Sequence, residues 1–490
     1  MKTYQLAIDL GATSGRHVLS YLEDGKMQLE EIYRFPNSQI ERDGHVCWDI
    51  EALWGHIVAG LKKCKELDKI PVSIGLDTWG VDYVLVDEDG KPVRECIAYR
   101  DERTKGVPDE VFKKIPADEL YSKCGLQQMD FNTLYQLAAH KKEWPEDFEK
   151  ASQILFVPDY FIYRLTGIML NEYTEASTSN MIKARSRDWD RDLIEDVGLP
   201  HKIFTKPTQP GVIVGCLVPE LVEELGFDTK VILTATHDTG SAYIAVPAKD
   251  DNSVSISSGT WSLLGVLNDR AITSEDARLA MFTNEGGYCN KYCFLQNIMG
   301  LWMISSIRRE FNGVSYVEGR DASKHCIVGE GEEKISFPDL IEMAKEADKA
   351  GLEFLVNAND SRFMAPASMI DEIKAACKES GQAEPQTPGE IALCVYKSLA
   401  KCYADAIKGL SGITDKKYTS INIIGGGSQD MYLNQQTANA CRIPVYAGPI
   451  EGTCIGNLIV QYIQNGSFKD VEEAHECIRR SFPIREVIPE

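Results

Sequence analysis

Residues 4–21 read Tyr-Gln-Leu-Ala-Ile-Asp-Leu-Gly-Ala-Thr-Ser-Gly-Arg-His-Val-Leu-Ser-Tyr. Tyr4 to Ile8 predicts a strand, Asp9 to Gly15 a turn of small residues, and Arg16 to Tyr21 a second strand, together a candidate hairpin. A similar phrase recurs past the midpoint: Ser253 to Ser257, then Ser258-Gly259-Thr260-Trp261-Ser262, then Leu263 to Leu267. A duplicated fold explains this echo, and so does coincidence, because short Gly/Ser turns are common. Between and beyond these segments strands alternate with helices. Val72 to Leu76, Val81 to Val86, Ile232 to Thr236 and Ser420 to Ile424 read as strands; Ile50 to Glu66 and Glu390 to Ile407 have helical spacing, the latter behind a Thr387-Pro388 start signal. Mixed strands and helices in two halves indicate an α/β protein. The polar stretch Pro247 to Asn252 interrupts the pattern, which predicts domains at 1–246 and 247–490.

The 490 residues suffice for two to four domains with full cores. A hydrophobic content of 43% and a charged content of 26% exclude wholesale disorder. The net charge of −22 argues against nucleic acid or an anionic membrane as a standing partner, since both repel an anion. The fourteen cysteines contain no CxxC pair and no zinc spacing, so they read as reduced thiols. No signal-peptide core opens the sequence, and the longest uncharged stretches, Asn252 to Asn268 and Gly452 to Phe468, are too polar to span a bilayer. The expected location is the cytoplasm.

Four segments could carry chemistry. The turn from Asp9 to Arg16 exposes backbone N–H groups and two hydroxyls, Thr13 and Ser14, that can cradle phosphate oxygens, with Asp9 placed to hold a hydrated Mg²⁺. The same residues also suit a plain hairpin. In Thr236-His237-Asp238-Thr239-Gly240, Asp238 follows a strand and could take a proton from a hydroxyl nucleophile, or could simply cap a helix. Asp77-Thr78-Trp79-Gly80-Val81-Asp82 combines an aromatic wall, a glycine and two acids, as sugar sites do, or forms a tight turn on a core tryptophan. Gly425-Gly426-Gly427-Ser428 lets backbone approach a nucleotide, although Asp430 breaks the GxGxxG pattern, and no P-loop occurs anywhere. Asn297 and the pair Arg100-Asp101 read, taken singly, as buried hydrogen-bond or ion-pair partners.

In this order the segments resemble the FGGY carbohydrate kinases of the actin-like ATPase superfamily. The resemblance runs through DLGATSGR at Asp9, WDI at Trp48, GLDTWGVDYVLVD at Gly75, AYRDERT at Ala98 and NTLYQL at Asn132. It continues through PDYFIYRLTG at Pro158, NEYTEAST at Asn171, HDTGSA at His237, SSGTWSLLG at Ser257, NEGG at Asn284, NIMGLW at Asn297, NANDSRF at Asn357 and IGGGSQ at Ile424. DTWGVD and SSGTWSL resemble the branch of the family that acts on L-rhamnulose.

The resemblance implies two ribonuclease H-like lobes with a catalytic cleft between them, the first taking the sugar and the second the nucleotide. It implies transfer of phosphate from ATP to the C1 hydroxyl of L-rhamnulose, giving L-rhamnulose 1-phosphate and ADP, a step of L-rhamnose catabolism. Carried over residue by residue, Asp238 is the general base. Ala12, Thr13, Ser14, Gly15 and Arg16 form the first phosphate loop, Thr260 lies in the second, and Gly426 meets the nucleotide. Gly80, His237, Asp238, Thr239 and Asn297 contact the sugar, and Asp9 orders Mg²⁺ through water. The implied partners are L-rhamnulose and ATP, with no nucleic acid, membrane or obligate protein partner. One departure is Ser305, where relatives can have Gln three residues after the NIMGLW tryptophan. A sibling kinase for fuculose, xylulose or ribulose, and a nucleotide-switched actin-like binding protein, are the alternatives; a sugar-sensing repressor would need a basic helix-turn-helix module that does not precede Tyr4.

Overall fold

The computed structural model describes residues 2–313, 335–364 and 366–490. The chain divides into two units: Met1–Ala245 with Leu267–Leu295 and Gly452–Ser481, and Val246–Val266 with Gln296–Glu451 and Phe482–Glu490.

The first unit is built on a six-stranded sheet in the spatial order Val212–Cys216, Lys230–Leu233, Pro71–Thr78, Tyr4–Leu10, Ser14–Glu23, Lys26–Pro36. Tyr4–Leu10 pairs antiparallel with Ser14–Glu23 and parallel with Pro71–Thr78, a central place in the sheet, and its Leu6, Ala7, Ile8 and Leu10 are fully buried, so both faces of the strand are covered. The helix Ile50–Glu66 coincides with its sequence reading and starts on Asp49, whose carboxylate accepts from the Ala52 N–H at 2.9 Å. The strand expected from Val81 begins only at Tyr83, because Val81 adopts φ 73°, a left-handed conformation costly for a β-branched residue. The strand expected at Ile232 to Thr236 is observed at Lys230–Leu233.

The helix Gly452–Gln464 belongs to this first unit although it lies near the C-terminus. Within its buried face stand two amides, Asn457 and Gln461, one turn apart and both fully buried. The Gln461 side-chain amide donates to the Leu6 carbonyl at 2.9 Å and accepts from the Ser73 hydroxyl at 2.8 Å. These bonds offset the cost of burying two amides and fix the helix in register on the central strands.

In the second unit the strands run Trp261–Asn268, Ser253–Ser258, Ser420–Ile424, Val445–Ala447, Arg485–Val487. An antiparallel hairpin, Ser253–Ser258 with Trp261–Asn268, again has its first strand paired in parallel with a later one, Ser420–Ile424. This is the arrangement around Tyr4–Leu10, so the sequence echo corresponds to a shared local topology. The helix Pro388–Thr414 starts at its Thr387 cap and Pro388 as the sequence signals.

Candidate active site

The Asp9–Arg16 turn is a stiff hairpin end. Its Gly11 N–H donates to the Ser14 carbonyl at 2.9 Å, and Asn37 clamps it from outside, the backbone N–H to Thr13 O and the side chain to Gly11 O, both at 2.9 Å. Asp9 and Arg16 face each other across the hairpin, and the Arg16 guanidinium donates to the Asp9 carboxylate at 3.0 Å. Thr13 is exposed, with Ala12, Ser14 and Arg16 half-buried. Gly15 is buried beneath Phe35: a Cβ there would lie 2.1 Å from the ring, so this glycine serves packing.

Asp77 stands beside Asp9 in the parallel register and is fully buried. One carboxylate oxygen accepts from Asn457 at 2.6 Å; the other, also buried, has no hydrogen-bond partner in the protein. Burial, and then the Asp9 charge, push its pKa well above the ordinary 3.8, against the pull of the Asn457 bond.

His237 and Asp238 follow from the neighbouring strand. The Thr78 N–H donates to the Thr236 carbonyl at 2.8 Å, and Thr78 bridges His237. Asp238 is the first residue of the helix Asp238–Ile244, and the cap position is His237, which makes no capping bond. The capping role available to Asp238 in the sequence is therefore not the one it fills. Its carboxylate accepts from Thr239 Oγ1 at 3.1 Å, and burial first, then Asp9, raise its pKa to about 7. The side chain is hemmed in by protein yet 39% exposed, so it stays reachable. A carboxyl poised near neutrality can accept a proton from an alcohol as that alcohol attacks.

His237 Nε2 lies 3.5 Å from Asp238 Oδ1 and Nδ1 lies 3.6 Å from Glu285 Oε2. Burial lowers the His237 pKa, which keeps the ring neutral, so these are approaches of a dipole to carboxylates rather than ion pairs. Gly80 completes this corner: a Cβ on it would come within 3.2 Å of His237 Nε2 and 3.0 Å of Thr178 Cγ2. The left-handed Val81 that follows is tied at both ends, its N–H to Thr178 Oγ1 at 3.0 Å and its carbonyl to Thr133 Oγ1 at 2.7 Å. Asp82, read as a possible sugar acceptor, has another task. It is fully buried and takes the indole N–H of Trp48 at 2.6 Å, that of Trp79 at 3.0 Å, and the Gln136 amide at 3.0 Å. Its bonds lock two tryptophans packed against each other at a tilt of 37°, 4.1 Å between ring centres. Asp101 is likewise structural, accepting from the Val46 N–H at 2.8 Å.

In the second unit, Thr260 lies exposed at the tip of the Ser253–Asn268 hairpin, and the Trp302 N–H donates to its carbonyl at 3.2 Å. Gly300 underlies that tip, where a Cβ would sit 2.8 Å from the Thr260 carbonyl. The Gly425–Gly427 turn packs on the same hairpin: Gly425 has φ +84°, and a Cβ on Gly427 would meet Ser258 Oγ at 2.0 Å. Gly426 between them has nothing within 4 Å of its Cβ position and is open to a ligand. Asn297 is half-buried in the strand Tyr292–Met299, and Ser305 lies in the first turn of the helix Trp302–Phe311.

So the structure gathers Asp9, Arg16, Gly80, His237, Asp238 and Thr239 in one unit, and Thr260, Asn297 and Gly426 in the other. Sequence reasoning missed Asn457, Glu285 and the pairing of Asp9 with Arg16. A usable signal existed for the first: Asn457 and Gln461 stand four apart among the apolar residues Ile455 to Ile463, where polar side chains need partners. Among the described residues no group of three or more His, Cys, Asp or Glu side chains could hold a metal directly. Hard carboxylate oxygens at Asp9 and Asp77, one of them without a protein partner, fit a divalent ion bound through water and phosphate.

The chain matches the N-terminal domain of the FGGY family of carbohydrate kinases over residues 4–245 and its C-terminal domain over residues 254–464. It belongs to the FGGY carbohydrate kinases. Similar relatives are the rhamnulokinase of Halalkalibacterium halodurans, 44% identical over 487 residues, which cover 99% of this chain and 98% of that one, and the rhamnulokinase of Oceanobacillus iheyensis, 44% identical over 485 residues with the same coverages. A solved structure, the ligand-bound xylulose kinase from Lactobacillus acidophilus, superposes with a TM-score of 0.79 at 17% identity, covering 100% of this chain and 94% of that one. The α/β fold is that of the FGGY kinases, and the protein is a carbohydrate kinase whose substrates are a sugar and ATP, used with a divalent metal. No helix among the described residues is long and apolar enough to cross a membrane.

Proposed function

We propose that this kinase phosphorylates L-rhamnulose at the C1 hydroxyl, giving L-rhamnulose 1-phosphate and ADP, in the cytoplasm and in the breakdown of L-rhamnose. The observation that carries the chemistry is Asp238, reachable and with its pKa near 7. The choice of sugar is supported by the rhamnulokinases that resemble this chain along its whole length.

In this reading Gly80, His237, Thr239 and Asn297 bind the ketose and aim its C1 hydroxyl at Asp238. The neutral His237 ring offers hydrogen bonds without a competing charge. Ala12 to Gly15 hold phosphate oxygens through backbone and hydroxyl groups, and Arg16 brings positive charge into a strongly acidic protein. Thr260 meets the phosphates from the second hairpin, and Gly426, open at its Cβ position, lies against the nucleotide. Mg²⁺, ordered through water by Asp9, would supply charge neutralisation of the phosphates when bound. Phosphoryl transfer has a loose transition state, so orientation and charge do most of the work, and Asp238 takes the proton as the new O–P bond forms.

The test is ADP release with Mg-ATP against L-rhamnulose, L-fuculose, D-xylulose, L-ribulose, D-ribulose and glycerol. Stimulation by L-rhamnulose well above the others is expected. Stronger stimulation by another sugar would move the substrate, and no stimulation by any would overturn the kinase roles assigned to this site.

A further inference from the structure

Glu172 lies in the NEYTEAST segment, is itself assigned no contact with substrate, and its carboxylate is fully buried. Burying a carboxylate is costly unless donors surround it. Here they come from two separate stretches of chain. The Thr174 N–H donates to Oε1 at 2.8 Å; the Glu175 N–H donates to Oε2 at 2.9 Å, joined by the Thr174 hydroxyl. From across the unit, Thr236 donates twice to Oε2, its hydroxyl at 2.8 Å and its N–H at 3.3 Å. Thr174 Oγ1 in turn accepts from the His237 N–H at 3.3 Å.

The peptide on either side of Thr236 is thus held from two directions, its N–H by Glu172 and its carbonyl by Thr78. Asp238 is two residues further on. Glu172 is itself fixed, its backbone N–H donating to Asp159 at 3.1 Å. An apolar side chain of similar volume would avoid burying a carboxylate but would leave these buried donors unpaired. What an apolar residue cannot do is tie the Thr236 and His237 backbone to the Tyr173–Ala176 turn.

We propose that Glu172 is a positioning residue for phosphoryl transfer, its carboxylate clamping the Thr236–His237 backbone that delivers the base. The proposal rests on the reading of Asp238 as that base. In Glu172→Gln one acceptor oxygen is replaced by an NH2 group that cannot accept, so the donors at Oε1 and those at Oε2 can no longer all be satisfied and the clamp is weakened while the side-chain volume is kept.

The experiment is a double-mutant cycle on the full-length enzyme with L-rhamnulose and Mg-ATP, using Glu172→Gln, Thr236→Val and the pair, with Thr236→Ser as the conservative variant. Displacement of a reacting group by an ångström costs up to ~10²-fold, so kcat is expected to fall roughly 10- to 100-fold in Glu172→Gln and in Thr236→Val. KM for ATP should stay within about twofold, because the nucleotide contacts are untouched. The pair should be no worse than the poorer single variant, and Thr236→Ser, which keeps the hydroxyl, should recover most of the turnover. A merely structural role would lower the melting temperature without this split or rescue. Unchanged kcat in folded Glu172→Gln, multiplicative losses in the pair, or a Thr236→Ser as defective as Thr236→Val would overturn the clamp. If Glu172→Gln does not fold, the Val/Ser comparison at 236 decides alone. Asp238→Asn at wild-type turnover would overturn the base instead, whereas an inactive Asp238→Asn beside a normal Glu172→Gln removes only the clamp.

Discussion

Asp77 and Asp238 are both acids raised by burial and by the charge of Asp9, but only Asp238 is exposed enough to meet a substrate. In the role proposed for it Asp238 takes a proton only when ionised, so kcat/KM for the sugar should rise with pH through about 7 and level off above it. Asp9 is the second cause of the upward shift, after burial. Removing that negative neighbour in Asp9→Asn should therefore move the acid limb to lower pH, whatever it does to the plateau. A pH profile of kcat/KM for both proteins checks this, and a limb that stays in place or moves up would contradict the assigned coupling. Burial lowers the His237 pKa, which moves its titration away from the expected midpoint of Asp238.

At the scale of elements, the helix that starts at Asp238 is seated by a close crossing rather than by a cap. Gly456 in the helix Gly452–Gln464 lies against it, so near that a Cβ would be 1.7 Å from the Ser241 carbonyl. Gly456→Ala must push the Asp238–Ile244 helix aside, and overpacking of this kind costs about 1–3 kcal/mol. A lower urea midpoint together with reduced kcat is expected. Gly55→Ala is the control: it sits in the exposed middle of a helix with nothing near its Cβ position, and it should gain stability by up to about 1 kcal/mol. Equal effects from the two substitutions would contradict the crossing. The elements themselves were largely legible. Ile50–Glu66 and Ser420–Ile424 coincide with their periodicity, and both hairpins lie where small-residue turns separate apolar runs. What periodicity could not convey was the conformation of single residues. Val81 is strand-like by composition, yet its left-handed backbone is held there by Thr178 and Thr133 from other parts of the unit.

At the scale of the whole molecule, each of the two units is assembled from separated stretches of chain, which no linear pattern announces. Residues 452–481 return to the first unit, and Asn457 reaches Asp77 from there across 380 positions of sequence. The loops and the base could be singled out as candidates from residue type and motif order, since their glycines, hydroxyls and acids are local signals. The partners that tune them could not, because a pKa shift at Asp238 or a carboxylate clamp at Glu172 exists only once distant segments meet. The central claim is that Asp238 removes the proton from the sugar hydroxyl. The most direct measurement is turnover of Asp238→Asn with L-rhamnulose and Mg-ATP, alongside sugar binding by calorimetry. A loss of ~10²–10⁴-fold in kcat, the range for general-base catalysis, with sugar binding retained is the expected result; turnover near that of the wild type would contradict it.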